Sequence, residues 1–566
     1  YMGGDVFGNG MLLNPQMKLL AAFNHIHIFL DPQPDVPVAF AERQRLFDAV
    51  LGWGDYQTDI ISEGGGVFLR SAKSIRISST MQAVLGMDVE TCSGEALIQA
   101  ILQAPVDLLY NGGIGTYIKA SFESDADAQD PANNAVRVDA NNLRCKVLNE
   151  GGNLGLTQAA RIEFAQQGGI INTDAIDNAA GVNMSDHEVN LKILLADLPF
   201  KERNRWLKKA AAAVTLQCLN DNKEQAIVLS LAESTAIHHL PRLIHLQQSL
   251  YEEKRLLSLE KDVKKFALRP VYAEWLGHEK NRIHEALDAA CFATHSVFGD
   301  IFLIQYFAKP LRKPFAQHIL NHVLSSDIAH TRICSYILNR YGLCSIHYLQ
   351  NLSQKPLQNV VQSLLLADYI LDTGKQYEHA FGSTALDLEA WYEVQQAVLN
   401  FAEGLLTLEG LLTVDEAWLK KTKTAFSNYG KTNPDITQLV DVVIAIPLAE
   451  QMQLPLSQCL SVAQLCMDSL PFAQLERALR TPLWASDDAH ALRCEWLQRL
   501  QHIKIIAATH ILQQKSQHGQ INVSQWLDHP LGETLHDLIQ QETSNHDEQR
   551  LRYILALTHL QSIVET

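Results

Sequence analysis

Two short β-type runs, each followed by glycines and uncharged polar residues, constrain the fold of this chain most. Residues 144–149 (RCKVLN) lead into the turn EGGNLGLTQ at 150–158, and residues 169–171 (GII) lead into the polar run NTDAIDN at 172–178. A helical pattern follows each turn. An open α/β sheet builds its nucleotide crevice from turns of this kind, which lie beyond the carboxyl ends of neighbouring strands. We therefore expect the functional site within residues 150–188.

The first 195 residues alternate between strand and helix patterns. Predicted strands are 25–30, 106–109, 145–148 and 169–171, and predicted helices are 4–13, 16–23, 95–103 and 158–167. Such alternation predicts an α/β, Rossmann-like parallel sheet with helices on both faces. Residues 121–142, which include Asp125, Asp127 and Asp130, are expected to form an exposed insertion.

The strand signal ends near residue 195, and helical periodicity replaces it. Leu243, Leu246, Leu250 and Leu257 step by three, four and seven residues, which places them on one face of a helix. A chain of 566 residues is also too long for one hydrophobic core. The sequence thus predicts a dinucleotide-binding domain over 1–195 and an all-α C-terminal domain over 196–566.

Composition excludes several classes of protein. The net charge of -17 argues against non-specific nucleic-acid binding, which needs clustered Lys and Arg. No apolar run reaches the roughly 18 residues of a membrane-spanning helix. The nine cysteines are scattered without Cys-x-x-Cys spacing, which is typical of reduced thiols in a cytoplasmic protein. Pairs such as His318 and His322 lack companion ligands, so we predict no metal site.

The amino-terminal glycines and Asp31 are candidate cofactor contacts. Gly3 and Gly4 open a glycine-rich segment that does not complete the pattern G-x-G-x-x-G, because Leu13 stands at its last position. No apolar strand precedes Met2, so we expect the dinucleotide domain to lack its first strand. Asp31 follows the predicted strand 25–30, where a carboxylate binds the adenosine ribose and favours NAD over NADP. The alternative is that Asp31 and Pro32 merely end the strand.

Further candidates follow the later strands. Asn111 and Gly112 begin a turn whose glycines let the backbone approach a ribose or pyrophosphate, although an ordinary strand-to-loop turn has the same composition. Asn153 and Asn178 offer hydrogen bonds to a nicotinamide amide or ribose, or else stabilise their own turns. Ser185, with Glu188, fits a capping box, and a helix N-terminus there suits a substrate carboxylate. Lys73 has no buried, charge-paired setting that would make it catalytic.

Several strings in this order resemble the large bacterial NAD-specific glutamate dehydrogenases. They are GDVFGNGM at 4–11, HIFLDP at 27–32, GGGVF at 64–68 with RSAKSI at 70–75, NGGIGTY at 111–117, EGGNLGLT at 150–157, and INTDAIDN at 171–178 through SDHEVN at 185–190. The resemblance implies oxidative deamination of L-glutamate to 2-oxoglutarate and ammonia with NAD. By likeness to smaller glutamate dehydrogenases, Asn178 would face the nicotinamide, Asn153 the cofactor ribose, and Ser185 the substrate α-carboxylate.

The resemblance also implies a limit. In that family the catalytic lysine and aspartate lie upstream of the dinucleotide domain, so we assign no catalytic residue here and expect the chain alone to be inactive. We expect a homo-oligomer in the full-length enzyme. A rival hypothesis is a non-catalytic interaction or regulatory protein, in which the helical part mediates assembly.

Overall fold

The chain folds as two compact units in this computed structural model, which describes residues 9–256, 259–381, 387–406 and 414–430 and the single positions 500, 503, 507, 556 and 560. The first unit comprises Tyr1–Glu279 and Phe307–Pro314, and the second comprises Lys280–Tyr306 and Phe315–Thr566. Gly3 and Gly4 lie outside the described residues. The domain boundary at residue 195 stays a prediction.

Short strands occupy the first part of unit one. They are β1 (Ala21–Phe23), β2 (His27–Leu30), β3 (Gly66–Leu69), β4 (Ile75–Arg76), β5 (Thr91–Cys92), β6 (Leu108–Asn111), β7 (Ile118–Lys119), β8 (Val138–Asp139) and β9 (Val147–Glu150).

Strands β1, β2 and β3 form an antiparallel sheet with β2 in the middle. Asn24 produces the β1–β2 hairpin, because its side-chain oxygen accepts hydrogen bonds from the amides of Ile26 (2.8 Å) and His27 (2.7 Å). The predicted helix 16–23 is therefore wrong, since Ala21–Phe23 is a strand. Pairing with β2 overrides the local helical preference of this run. The predicted parallel sheet does not include the strand before Asp31.

Parallel pairing is confirmed for β6 and β9, which align Leu108 with Val147 and Asn111 with Glu150. Each strand begins and ends two residues later than predicted. The predicted strand 169–171 is reduced to one parallel bridge between Ile170 and Val147. Strands β7 and β8 form a second parallel pair.

Besides short 3-10 helices, α-helices account for the remaining regular structure of the described residues. In unit one they are α1 (Asn9–Leu12), α2 (Val36–Asp48), α3 (Ser79–Leu85), α4 (Gly94–Leu102), α5 (Gln158–Gln166), α6 (Asp174–Asp177), α7 (Ala179–Leu194), α8 (Phe200–Glu252), the start of α9 (Arg269–Ala289) and α12 (Lys309–Arg312). In unit two they are the end of α9, α10 (Phe292–His295), α11 (Val297–Tyr306), α13 (Ala316–Leu320), α14 (Ser325–Tyr341), α15 (Ser345–Ser353), α16 (Leu357–Leu371), α17 (Gly374–Phe381), α18 (Leu388–Leu406) and α19 (Glu416–Gly430).

The main core of unit one contains buried residues from each of the four sheets in the described residues. Ile28 of β2, Leu97 of α4, Leu148 of β9 and Phe164 of α5 are among its fully buried members. The predicted helices 95–103 and 158–167 are confirmed as α4 and α5. The predicted exposed insertion at 121–142 is confirmed for most of residues 121–135, whereas Val136, Val138 and Ala140 are buried. The buried Arg137 holds the segment by donating to the carbonyl of Thr116 (2.9 Å) and to other oxygens of the segment.

After residue 195 the regular elements of the described residues are all helical, as predicted. Leu243, Leu246 and Leu250 are buried on one face of α8, whereas Leu257 lies outside the described residues. No helix in the described part of the chain is long and apolar enough to cross a membrane.

Candidate functional site

Three turns meet beyond the parallel strands β6 and β9 and the bridge residue Ile170. The first turn spans 111–116, the second 150–157 and the third 171–178. Because parallel strands end at the same edge of a sheet, their turns are neighbours. The carbonyl of Asn111 accepts hydrogen bonds from the amides of Gly151 (2.9 Å) and Gly152 (3.2 Å), and the Thr116 hydroxyl donates to the carbonyl of Leu154 (2.7 Å).

Glycine is required where the first two turns touch. A Cβ atom on Gly152 would lie 2.5 Å from the carbonyl oxygen of Gly113, and one on Gly151 would lie 2.0 Å from the Tyr110 hydroxyl. The first contact is with backbone, so the neighbouring turn would have to move. The sequence signal of glycines after strands thus reflects close backbone approach.

A buried ion pair between Glu150 and Arg161 stabilises the second turn. Arg161 of α5 donates two hydrogen bonds to Glu150, from Nε to Oε2 (2.7 Å) and from Nη2 to Oε1 (2.9 Å). Its Nη2 also lies 3.2 Å from Oδ1 of Asp174, whose Oδ2 accepts from the amide of Leu154 (2.8 Å). Burial raises the pKa of Glu150, and the bonds from Arg161 oppose this shift. These bonds hold the start of the turn at Glu150 and its middle at Leu154.

Asp177 of α6 connects the third turn to the second. One of its oxygens accepts from the backbone amide of Glu150 (3.0 Å), and the other accepts from the side-chain amide of Asn172 (2.6 Å). Burial raises the pKa of Asp177, and the two hydrogen bonds oppose that shift.

Asn153 and Asn178, both predicted cofactor contacts, lie together. The side-chain amide of Asn178 donates to the side-chain oxygen of Asn153 at 2.6 Å. Asn153 is exposed and Asn178 is half-buried. Leu154, next to Asn153, is 64 % exposed and has a left-handed backbone with φ of 56°. The two amides and this apolar side chain therefore face solvent at the meeting point of the turns.

Asn111 brings an unpartnered polar group to the same place. Its side-chain Nδ2 and Oδ1 are buried and have no hydrogen-bond partner among the described residues, and the same holds for the hydroxyl of Thr173 in the third turn. An unpaired buried amide or hydroxyl costs about 1–3 kcal/mol. Gly112 follows Asn111 in a half-buried position. Polar groups left over at strand ends are typical of ligand sites.

Ser185 lies in the middle of α7, which begins at Ala179. The predicted capping box with Glu188 is therefore wrong, since no helix starts there. The Ser185 hydroxyl instead donates to the carbonyl of Val182 (2.8 Å), a bond within the helix, and the side chain is exposed. Residues 179–184, which include Gly181, form the first part of α7. The substrate-binding role of Ser185 stays a prediction.

Asp31 is held by other residues. It is 1 % exposed, and its Oδ1 accepts hydrogen bonds from the amide of Ser62 (3.2 Å) and from the Ser62 hydroxyl. The expected position at the end of a parallel strand is wrong, because β2 pairs antiparallel on both sides. Its ribose-binding role stays a prediction.

Sequence reasoning missed the supporting charges. Glu150, Arg161, Asp174 and Asp177 form one cluster, although Glu150 and Asp177 are far apart in the chain. One signal was available, since Arg161 stands three residues before the buried Phe164 and therefore on the same face of α5. An arginine on an apolar helix face needs a buried acid.

Comparison with known proteins identifies the relatives of this chain. Residues 1–232 match the family model for the bacterial NAD-glutamate dehydrogenase catalytic domain, and residues 267–426 match that for the glutamate dehydrogenase C-terminal region. The NAD-specific glutamate dehydrogenase of Mycobacterium tuberculosis is 39% identical over 74% of this chain and 26% of its own length.

Two further relatives agree with this result. The NAD-specific glutamate dehydrogenase of Halomonas elongata is 36% identical over 75% of this chain and 27% of its own length, and that of Pseudomonas aeruginosa is 39% identical over 64% and 24%. The chain spans about a quarter of the length of these curated relatives. With both family models and all three relatives in agreement, this chain belongs to the family of bacterial NAD-glutamate dehydrogenases.

Proposed function

We propose that the three turns form part of the NAD site of a dehydrogenase that converts L-glutamate to 2-oxoglutarate and ammonia. The observation that carries this proposal is the pair Asn153 and Asn178, bonded at 2.6 Å beside the unpartnered amide of Asn111. In this proposal β6, β9 and Ile170 belong to a Rossmann-like sheet, and the turns lie where such sheets bind nucleotides. The names of the relatives supply the substrate and cofactor.

The residues present fit a dinucleotide. Unpartnered groups on Asn111 and Thr173 offer hydrogen bonds, and Gly151 and Gly152 bring the backbones of two turns close together. Exposed Ile114 and Leu154 supply apolar surface for a planar ring. The proposed cofactor contacts at the three turns are Asn111, Gly112, Asn153 and Asn178, and the roles of Gly3, Gly4 and Asp31 stay sequence predictions.

Positioning is the contribution of these residues to the reaction. Bound NAD would supply the hydride acceptor for the reaction. Asn153 and Asn178 would hold the nicotinamide and its ribose so that one ring face is presented to the substrate. Ser185, on the exposed side of α7, would bind the substrate α-carboxylate. We assign no proton-transfer group among the residues of this chain.

The rival hypothesis of a non-catalytic interaction protein is not favoured. It does not explain the unpartnered polar groups at the strand ends. In addition, the relatives are named as dehydrogenases. Homo-oligomerisation stays a prediction.

Calorimetric titration of the 566-residue chain with NAD tests the proposal. We expect saturable binding that weakens by about tenfold in Asn178→Ala, the equivalent of one lost hydrogen bond to the ligand. Asn220→Ala, which removes an exposed amide from α8, is the matched control and should leave the affinity unchanged. A folded chain that takes up no NAD contradicts the proposal.

A further inference from the structure

Arg269, the first residue of α9, connects the helix α8 to the third turn. Its Nη1 donates to Ser230 Oγ (2.9 Å) and Glu233 Oε2 (2.7 Å), and its Nη2 donates to the carbonyl of Ala226 (2.9 Å). The remaining nitrogen, Nε, donates to the side-chain oxygen of Asn172 at 2.6 Å. All nitrogens of the guanidinium are therefore used, which fixes its orientation.

The chain of hydrogen bonds continues from Asn172 to the second turn. The Asn172 amide donates to Oδ1 of Asp177 (2.6 Å), and Oδ2 of Asp177 accepts from the backbone amide of Glu150 (3.0 Å). Asn222 of α8 adds a separate tie by donating to the carbonyl of Ile176 (2.8 Å). Two residues of the helical region thus hold the short helix α6, after which Asn178 follows directly.

We propose that Arg269 is a positioning residue for the cofactor site, acting through Asn172 and Asp177 on the backbone amide of Glu150. This inference rests on the proposed function, because it assumes that the turns after β6 and β9 bind NAD. The side chain of Arg269 is 15 % exposed, so its bonds are shielded from solvent more than those of a surface ion pair. Its role is to hold the second and third turns at a fixed separation.

The charges around Asp177 give this role a pH signature. Positive charges on Arg269 and Arg161 lower the pKa of Asp177, whereas burial, the largest influence, raises it. The carboxylates of Glu150 and Asp174 also lie in this cluster. When Asp177 takes up a proton, it becomes a weaker acceptor for the Glu150 amide. Removal of the Arg269 charge raises the pKa of Asp177 further, so this weakening begins at a higher pH.

Titration of the chain with NAD across a range of pH tests the inference. Arg269→Gln is expected to weaken NAD binding by about tenfold near neutral pH, as expected for a lost charge-assisted bond. The loss of NAD affinity on acidification, which we call the acid limb, should begin at a higher pH in this variant than in the wild type. Arg269→Lys keeps the positive charge but loses the planar set of guanidinium donors. Its affinity for NAD should therefore fall while the acid limb stays at the same pH.

Two further variants separate positioning from general stabilisation. Glu233→Gln removes the more exposed partner of the same arginine and should leave both affinity and pH profile unchanged. Asn172→Ala breaks the chain of bonds one step later, so Arg269→Gln should add little to it in the double variant. Additive losses with an unmoved acid limb would overturn the inference.

Hydrogen exchange distinguishes failure of this inference from failure of the proposed function. If the wild-type chain binds no NAD, the proposed function fails and this inference fails with it. If NAD binds, exchange of the Glu150 amide should accelerate by about tenfold in Arg269→Gln, because that amide loses a held acceptor. NAD binding with unchanged exchange and unchanged affinity overturns the role of Arg269 alone.

Discussion

Strand-end polar residues behave differently in the antiparallel sheet β1–β3 and in the parallel pair β6–β9. After β1 and β2, Asn24 and Asp31 are occupied by neighbouring amides and by Ser62. After β6, the Asn111 side chain has no partner among the described residues, and after β9 the exposed Asn153 meets Asn178. Both regions carry the polar residues that the sequence singles out.

A polar residue at a strand end therefore does not by itself indicate a site. Asn24 and Asp31 each accept two hydrogen bonds through one side-chain oxygen, and these bonds stabilise turns. In the parallel region the buried charges of Glu150 and Arg161 hold the turn, while the Asn111 side chain has no partner among the described residues and Asn153 is exposed beside Asn178. Ligand binding is favoured where polar side chains have free donors or acceptors and other residues hold the backbone that carries them.

The largest expected effect is on the support of the parallel region. Arg161→Met leaves the fully buried Glu150 without its partner, which should lower the free energy of unfolding by about 3–5 kcal/mol. Without Arg161 the already raised pKa of Glu150 rises further. A group with a raised folded-state pKa loses its stability contribution as pH rises through that pKa. The deficit should therefore be small at acid pH and large at neutral pH in urea unfolding.

Two variants control this prediction. Glu150→Gln added to Arg161→Met removes the stranded charge and should recover part of the loss. Lys192→Met breaks an exposed ion pair with Glu188 on α7 and should cost no more than about 0.5 kcal/mol. Equal losses in Arg161→Met and Lys192→Met contradict the assigned role of the buried pair.

The second prediction concerns the contact between the first two turns. Gly152→Ala places a Cβ atom 2.5 Å from the Gly113 carbonyl, and separating the backbones should cost about 1–3 kcal/mol. NAD binding should weaken by more than tenfold because the turns move apart. The matched control is Gly277→Ala in α9, where a Cβ meets nothing within 4 Å and the helix should gain about 0.5–1 kcal/mol. Unchanged NAD affinity in Gly152→Ala would break the comparison.

The strands and helices of the parallel region were largely predictable, because short apolar runs and glycine turns are local signals. The pairing of β2 was not predictable, since the Asn24 hairpin reverses the chain within three residues of a run that reads as helical. The capping box at Ser185 was wrong for a related reason. Its residues have the right types, but α7 had already begun at Ala179.

The candidate site was predictable only at its surface. Asn153 and Asn178 lie 25 residues apart in sequence and meet as expected from two strands that end at one edge. The network beneath them depends on pairs such as Arg269 and Asn172, which are 97 residues apart. Contacts of this range follow from tertiary packing, which no local pattern specifies.

The third prediction compares the two regions directly by their effect on NAD affinity. Asn153→Ala removes an exposed amide at the meeting point of the turns and should weaken NAD binding by about tenfold. Asp31→Asn should have a smaller effect on affinity, because its carboxylate is buried and bonded to Ser62. It should instead lower the melting temperature. If Asp31→Asn weakens NAD binding more than Asn153→Ala does, the ribose-binding prediction for Asp31 is supported and the comparison fails.

The smallest expected effect tests helix caps in the two regions. Thr157 caps α5 by accepting from the amide of Ala160 (3.1 Å), and Ser78 caps α3 by accepting from the amide of Met81 (3.2 Å). Thr157→Val and Ser78→Ala should each cost about 1 kcal/mol in urea unfolding. Only Thr157→Val should also weaken NAD binding, by about threefold, because Thr157 ends the turn that contains Asn153. An equal loss of affinity in Ser78→Ala would mean that the α3 region contributes to the site.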